Sequence, residues 1–193
     1  GIREVVVNVH HFASQIIETL EVNKGWGSRI FISDETSAVL ETGGGLKKAQ
    51  SFLESAPFVL MNVDILTDRD LGGMIASHLE HRPLATLAVT SRTTSRYLLF
   101  DRQDNLCGWR NVQTGQERMA RPDTDLQQKA FSGIHVIGPA IFPLIRMKGK
   151  FSMIDLYLDL AATRVIRGHD HTDSKLIDVG KPESAVEAAR LFI

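Results

Sequence analysis

Residues 58–66 read FVLMNVDIL, an apolar run of strand length introduced by Pro57. A second such run, EVVVNV, spans Glu4–Val9. β-Branched strands without polar alternation have no wet face, which predicts a parallel sheet covered by helices on both sides. Helical spacing recurs between them, with Phe12, Ile16, Ile17 and Leu20 on one stripe and a second helix over Gly45–Leu53. Further strands are predicted at Arg29–Ser33, Leu84–Thr90 and Phe131–Ile137, and further helices at Leu71–His81, Asp155–Thr163 and Ser184–Phe192. Strand–helix alternation of this kind specifies an α/β layered domain. Tyr97–Phe100 and Leu106–Arg110 flank the turn-rich DRQDN, which predicts a β-hairpin lying over the sheet. The expectation is one domain over 1–193, with a β-rich insertion.

Composition narrows the function classes. The 193 residues are 43% hydrophobic and 23% charged, with a net charge of −1 and no basic tract, so no nucleic-acid polymer is expected as partner. Cys107 is the single cysteine, which excludes an internal disulfide and a cysteine-based zinc site. It has no base nearby in sequence and reads as structural. No apolar run has membrane-spanning length, so no membrane partner and a cytoplasmic location are expected.

In an open α/β sheet, ligands bind at the carboxyl ends of strands. Asp64 stands near the end of FVLMNV and Asp178 in LIDVGKP, another short apolar run. Two carboxylates converging there could hold Mg²⁺ while substrate phosphates fill its other positions; alternatively each simply opens a turn. The triplet Gly43–Gly45 precedes a helical segment, where bare backbone and helix amides suit anions or polar acceptors, but it matches neither GxGxxG nor the phosphate-loop pattern. A plain loop-to-helix turn fits it equally. GHDH, Gly168–His171, reads as a solvated surface stretch, and Ser132 lacks the GxSxG setting of a hydrolase nucleophile.

Six segments in order resemble the sugar-phosphate nucleotidyltransferases: NVHHFASQI, SDETSAVLETGGGLKKA, FVLMNVDIL, AFSGIHVIGPAIF, GKFSMIDLYLDLA and DVGKPESAVEAARLF. The resemblance covers essentially the whole chain. It implies a Rossmann-like fold, with a mixed, mostly parallel sheet flanked by helices. It also implies transfer of a nucleoside monophosphate from a nucleoside triphosphate (UTP or GTP) to a sugar 1-phosphate, releasing pyrophosphate. Asp64 and Asp178 would be the catalytic Mg²⁺ ligands. The loop Glu41, Thr42, Gly43, Gly44 and Gly45, with Asn8, His10 and Asn62, would bind the nucleotide. Ser132, Gly133 and Asp155 would face the sugar phosphate.

The family's opening strand and GxGTRxxP loop have no counterpart here. That strand would stand between EVVVNV and FVLMNVDIL, so its absence should split the sheet or leave both neighbours with unpaired backbone. The expectation is a longer natural protein of which this is part. A non-catalytic nucleotide-sugar-binding module, or an inactive fragment, is the alternative. Leu176 and Lys181 stand where relatives often carry Trp and Thr, which leaves the sugar open; base and oligomeric state are unread.

Overall fold

A computed structural model describes residues 1–192, and Ile193 lies outside them. In chain order the elements are β1 (Glu4–Val9), α1 (Ala13–Val22), β2 (Arg29–Asp34), α2 (Glu41–Lys48), α3 (Gln50–Leu53), β3 (Phe58–Met61) and β4 (Ile65–Thr67). There follow α4 (Leu71–His81), β5 (Ala85–Thr90), β6 (Arg96–Phe100), β7 (Leu106–Asn111), β8 (Glu117–Met119), β9 (Gln127–Ile137), α5 (Met153–Ala161), β10 (Ile166–Asp170), β11 (Leu176–Asp178) and α6 (Pro182–Phe192). The chain divides into two compact units. One is Gly1–Ala56 with Phe142–Leu156; the other is Pro57–Ile141 with the residues from Tyr157 on.

In the first unit, β1 and β2 pair in parallel from Glu4 opposite Arg29 to Val9 opposite Asp34. This sheet has only two strands, and no residue of α1 is buried. The expectation that EVVVNV is covered on both faces therefore fails: of its six residues only Val9 is fully buried. A two-stranded sheet has too few neighbours to exclude water.

The second unit is built around β9. It pairs antiparallel with β5 along Ala130–Ile137, with β3 along Ile134–Ile137 and with β6 along Gln127–Lys129. The sheet runs β10-β5-β9-β6-β7-β8, with β3 also on β9, and β11 pairs with β4 separately. The fold is mixed α/β, but the sheet is not mostly parallel: among the described residues only β1–β2 and β5–β10 pair in parallel, and the other ladders are antiparallel. Nor does the β6–β7 hairpin lie over the sheet. It continues it, because β6 bonds directly to β9. FVLMNVDIL also breaks in two. Asn62–Asp64 turn, and the halves pair with different strands, so the run reads as one strand only in sequence. The strands EVVVNV and FVLMNVDIL lie in separate sheets.

β5 is buried throughout and α4 covers one of its faces. Ile65, Met74, Ala88, Ile134 and Val136 form the core there, with Leu71, Ile75 and Leu176 packed against it. Asp70 starts α4 by accepting from the amides of Gly72 and Gly73 at 2.9 and 3.1 Å, satisfying two of the four orphan donors. Arg82 ends it in the left-handed conformation, at φ 49°.

One buried polar pair sets an acid limit. His135 Nδ1 is 2.8 Å from the Tyr157 hydroxyl, and burial pushes the imidazole pKa from 6.5 down to about 3. The unfolded chain then binds the proton first as pH falls, so the stability held above about 6.5 is lost progressively towards 3. The urea midpoint is expected to drop on moving from neutral pH into this window. A His135→Gln variant should show a shallower drop; an identical slope in both would assign the acid sensitivity elsewhere.

Candidate active site

The residues singled out in the sequence fall into two groups, one in each unit. In the first unit, Gly43, Gly44 and Gly45 lie inside α2 and are buried, so they form a helix rather than the expected loop. The helix tolerates three glycines because the chain approaches it so closely. A Cβ on Gly43 would stand 2.5 Å from the Phe151 ring, and one on Gly44 would run into the Gly149 carbonyl. On Gly45 it would stand 2.5 Å from Asn8 Nδ2 and 2.6 Å from Glu35 Oε1. The amides of Gly43 and Gly44 both donate to the Phe151 carbonyl, at 3.0 and 3.2 Å.

The other members of this group are tied into the same scaffold. Thr42 Oγ1 accepts from the Met153 amide at 3.0 Å, and Glu41 pairs with Lys150 at 3.3 Å. Asn8 Nδ2 donates to Glu35 Oε1 at 2.5 Å, while His10 Nδ1 donates to the Glu35 carbonyl at 2.7 Å. Glu35 also accepts from the Leu40 amide at 3.3 Å. This buried glutamate joins β1, β2 and α2, yet nothing in SDETSAV distinguished it from a surface acid. Ser152 caps the start of α5: its hydroxyl accepts from the Asp155 amide at 3.1 Å and donates to Asp155 Oδ2 at 2.7 Å.

In the second unit the two acids 114 positions apart in sequence do converge. β4 and β11 pair with Ile65 opposite Asp178, and the Val179 amide donates to the Asp64 carbonyl at 2.7 Å. A Cβ built on Gly180 would lie 3.0 Å from Asp178 Oδ1 and 3.1 Å from Asp64 Oδ2, so both carboxylates flank one glycine. Asp178 Oδ1 also accepts from the Gly180 amide at 2.8 Å. Among the described residues no cation forms an ion pair with either acid. The donor set thus fits a hard divalent cation, with two oxygen ligands converging and lone pairs to spare.

Asn62, Ser132 and Gly133 belong to this unit as well. The Asn62 amide donates to the Gly133 carbonyl at 3.0 Å. Gly133 has φ +73°, where only glycine is unstrained, and a Cβ built on it would stand 2.9 Å from Asn62 Nδ2. It sits where the β5–β9 register shifts between Leu87 and Val89. Ser132 meets a partner that sequence reasoning had placed on the surface: its hydroxyl is 2.7 Å from Nε2 of His171, and the two residues are 2% and 3% exposed. GHDH is therefore not a solvated stretch. Its first residues form β10, paired parallel to β5, and the His171 amide donates to the Val89 carbonyl at 2.9 Å. Cys107 is buried and unpaired by disulfide, and burial raises its thiol pKa, which leaves it the inert residue expected. Among the described residues the one group of three potential metal-ligating side chains is Asp101, Cys107 and Asp123. The Asp101 carboxylate there is already committed to Gln103 and Asn105.

The mixed α/β fold is Rossmann-like and is shared with solved structures. The crystal structure of HddC from Yersinia pseudotuberculosis superposes with a TM-score of 0.77 at 21% identity, covering 100% of this chain and 80% of that one. In sequence, the chain is 28% identical over 199 residues to the N-acetylmuramate alpha-1-phosphate uridylyltransferase of Caulobacter vibrioides, covering 99% of this chain and 78% of that protein. It is 24% identical over 197 residues to the mannose-1-phosphate guanylyltransferase catalytic subunit beta of Drosophila melanogaster, covering 100% of this chain but only 51% of that protein. No family model matches the chain. Its homologues are sugar-phosphate nucleotidyltransferases. No helix among the described residues is long and apolar enough to cross a membrane.

Proposed function

We propose that the protein transfers a nucleoside monophosphate from a nucleoside triphosphate to a sugar 1-phosphate. The observation that carries this reading is the convergence of Asp64 and Asp178 on Gly180. An oxygen of the sugar phosphate attacks the α-phosphorus, the bond to the bridging β-oxygen breaks, and pyrophosphate leaves with the electron pair. No side chain becomes bonded to phosphorus, so the chain's work is positioning and charge stabilisation. Mg²⁺ held by Asp64 and Asp178 would supply the positive charge against which phosphates are oriented. Asn62 and Gly133, bonded to each other beside Ser132, would set the shape against which the sugar phosphate lies. Asn8, His10 and Glu41 to Gly45 would contact the nucleotide, with Glu35 holding Asn8 and His10 in place. Asp155 would face the sugar phosphate from the first turn of α5.

The experiment is pyrophosphate release with each nucleoside triphosphate against a panel of sugar 1-phosphates. Turnover with one pairing, dependent on added Mg²⁺, is the expected result. Nucleotide-sugar binding without turnover for any pairing would instead make the chain a binding module.

A further inference from the structure

Residues paired across a sheet share a face. On the face covered by α4, Ala88 of β5 lies opposite His169 of β10, while Thr90 lies opposite Ala130 of β9. Ser132, two residues beyond Ala130, and His171, two beyond His169, follow the same alternation and meet each other. Towards the middle of the strands this face is the apolar core of Ala88, Ile134 and Val136. At the carboxyl ends of β5 and β10 it turns polar. α4 covers β5, and Arg69 stands just before the first turn of that helix. Its charge bears on both His169 and His171.

These groups are not satisfied by one another. Arg69 Nε, Thr90 Oγ1 and His171 Nδ1 are all buried without a hydrogen-bond partner, and Thr90 is 4% exposed. Burial, with Arg69 next, pushes the His171 pKa down to about 4, so the ring is neutral at pH 7 and carries one proton. The Ser132–His171 pair then has two protons and uses one in its own bond. Whichever tautomer is present, the other proton is free to donate, from Nδ1 or from Oγ. None of the flanking carboxylates accepts it. Asp170 is held by Lys129 and Thr172, Asp68 by the Lys175 amide, and Asp70 by Gly72 and Gly73. The cluster thus has donors and positive charge in excess, buried at the end of the sheet where α/β folds take ligands.

We propose that Arg69, Thr90 and the Ser132–His171 pair form a seat for an oxyanion of the acceptor substrate. That the oxyanion belongs to a sugar phosphate rests on the transferase reading; that the seat takes an oxyanion does not. Two sources share the chemistry: the 1-phosphate itself, or a carboxylate on the sugar.

Calorimetric titration of the full chain with inorganic phosphate, and separately with acetate, tests the seat without turnover. Wild type should bind at least one of them, phosphate if the seat takes the 1-phosphate and acetate if it takes a carboxylate. Arg69→Met should weaken that binding by about 10- to 100-fold and Thr90→Val by about tenfold, the scale of a hydrogen bond to a charged group. Arg69→Lys should recover part of the loss. In the transferase assay, Arg69→Met should raise KM for the sugar 1-phosphate far more than it lowers kcat. Wild-type affinity in both Arg69→Met and Thr90→Val, with unchanged urea midpoints, would overturn the seat. So would failure of wild type to bind either anion. Arg69-dependent anion binding by a chain that turns over no substrate pair would leave the seat standing and remove the transferase reading.

Discussion

Asp64→Ala is expected to lower the rate of pyrophosphate release by about 10³-fold, the scale seen when one preorganised electrostatic contact to a reacting phosphate or oxyanion is lost. Asp178→Ala should do the same, and the double variant should cost little more than either alone, since the two carboxylates act on one centre. Their convergence on Gly180 is the reason to expect such non-additivity. Inorganic phosphate affinity measured without Mg²⁺ should stay as in wild type, which separates lost chemistry from lost folding. Activity within about tenfold of wild type for Asp64→Ala would show that charge at this position does not stabilise the reaction.

The largest effect on stability is expected from Gly44→Ala. Replacing glycine by alanine inside a helix ordinarily gains up to about 1 kcal/mol. Here the new methyl would meet the Gly149 carbonyl, a backbone atom that cannot rotate aside. Overpacking of this kind costs about 1–3 kcal/mol and outweighs the propensity gain. Gly43→Ala should cost less, because its Cβ meets first the ring of Phe151, which can turn. Urea unfolding of the two variants checks the order. A Gly44→Ala protein as stable as wild type would mean that the bend carrying Gly149 yields freely.

These two cases also mark how far the sequence could be read. Asp64 and Asp178 were legible because both end short apolar runs, and the rule about strand ends does not need to know which strands pair. The glycine triplet was legible as a place of close approach but not as helix. Glycine permits both, and the deciding contacts come from Gly149 and Phe151, a hundred residues on. FVLMNVDIL had the composition of one strand, and only the pairing of β3 with β9 and β4 with β11 shows where it turns. GHDH misled for a related reason. Its residues are polar, but β5 accepts it as an edge neighbour, and His171 is buried by Ser132 rather than by any local pattern. Glu35 and Arg69 had no signal at all, since each acts through groups brought near by folding.

The discontinuity of the first unit has a consequence for synthesis. The amides of Gly43 and Gly44 and the ammonium of Lys47 find their acceptors only in Ile145, Met147 and Phe151. On the ribosome, about 89 to 95 residues must follow Ala56 before those acceptors exist, roughly 4–19 s at ordinary elongation rates. For that interval Gly43 and Gly44 of α2 lack the partners they meet in Gly149 and Phe151, while the β5–β6–β7–β9 portion of the other unit is already complete. The order of folding during translation is therefore expected to invert the order of the sequence, with the amino-terminal unit closing last.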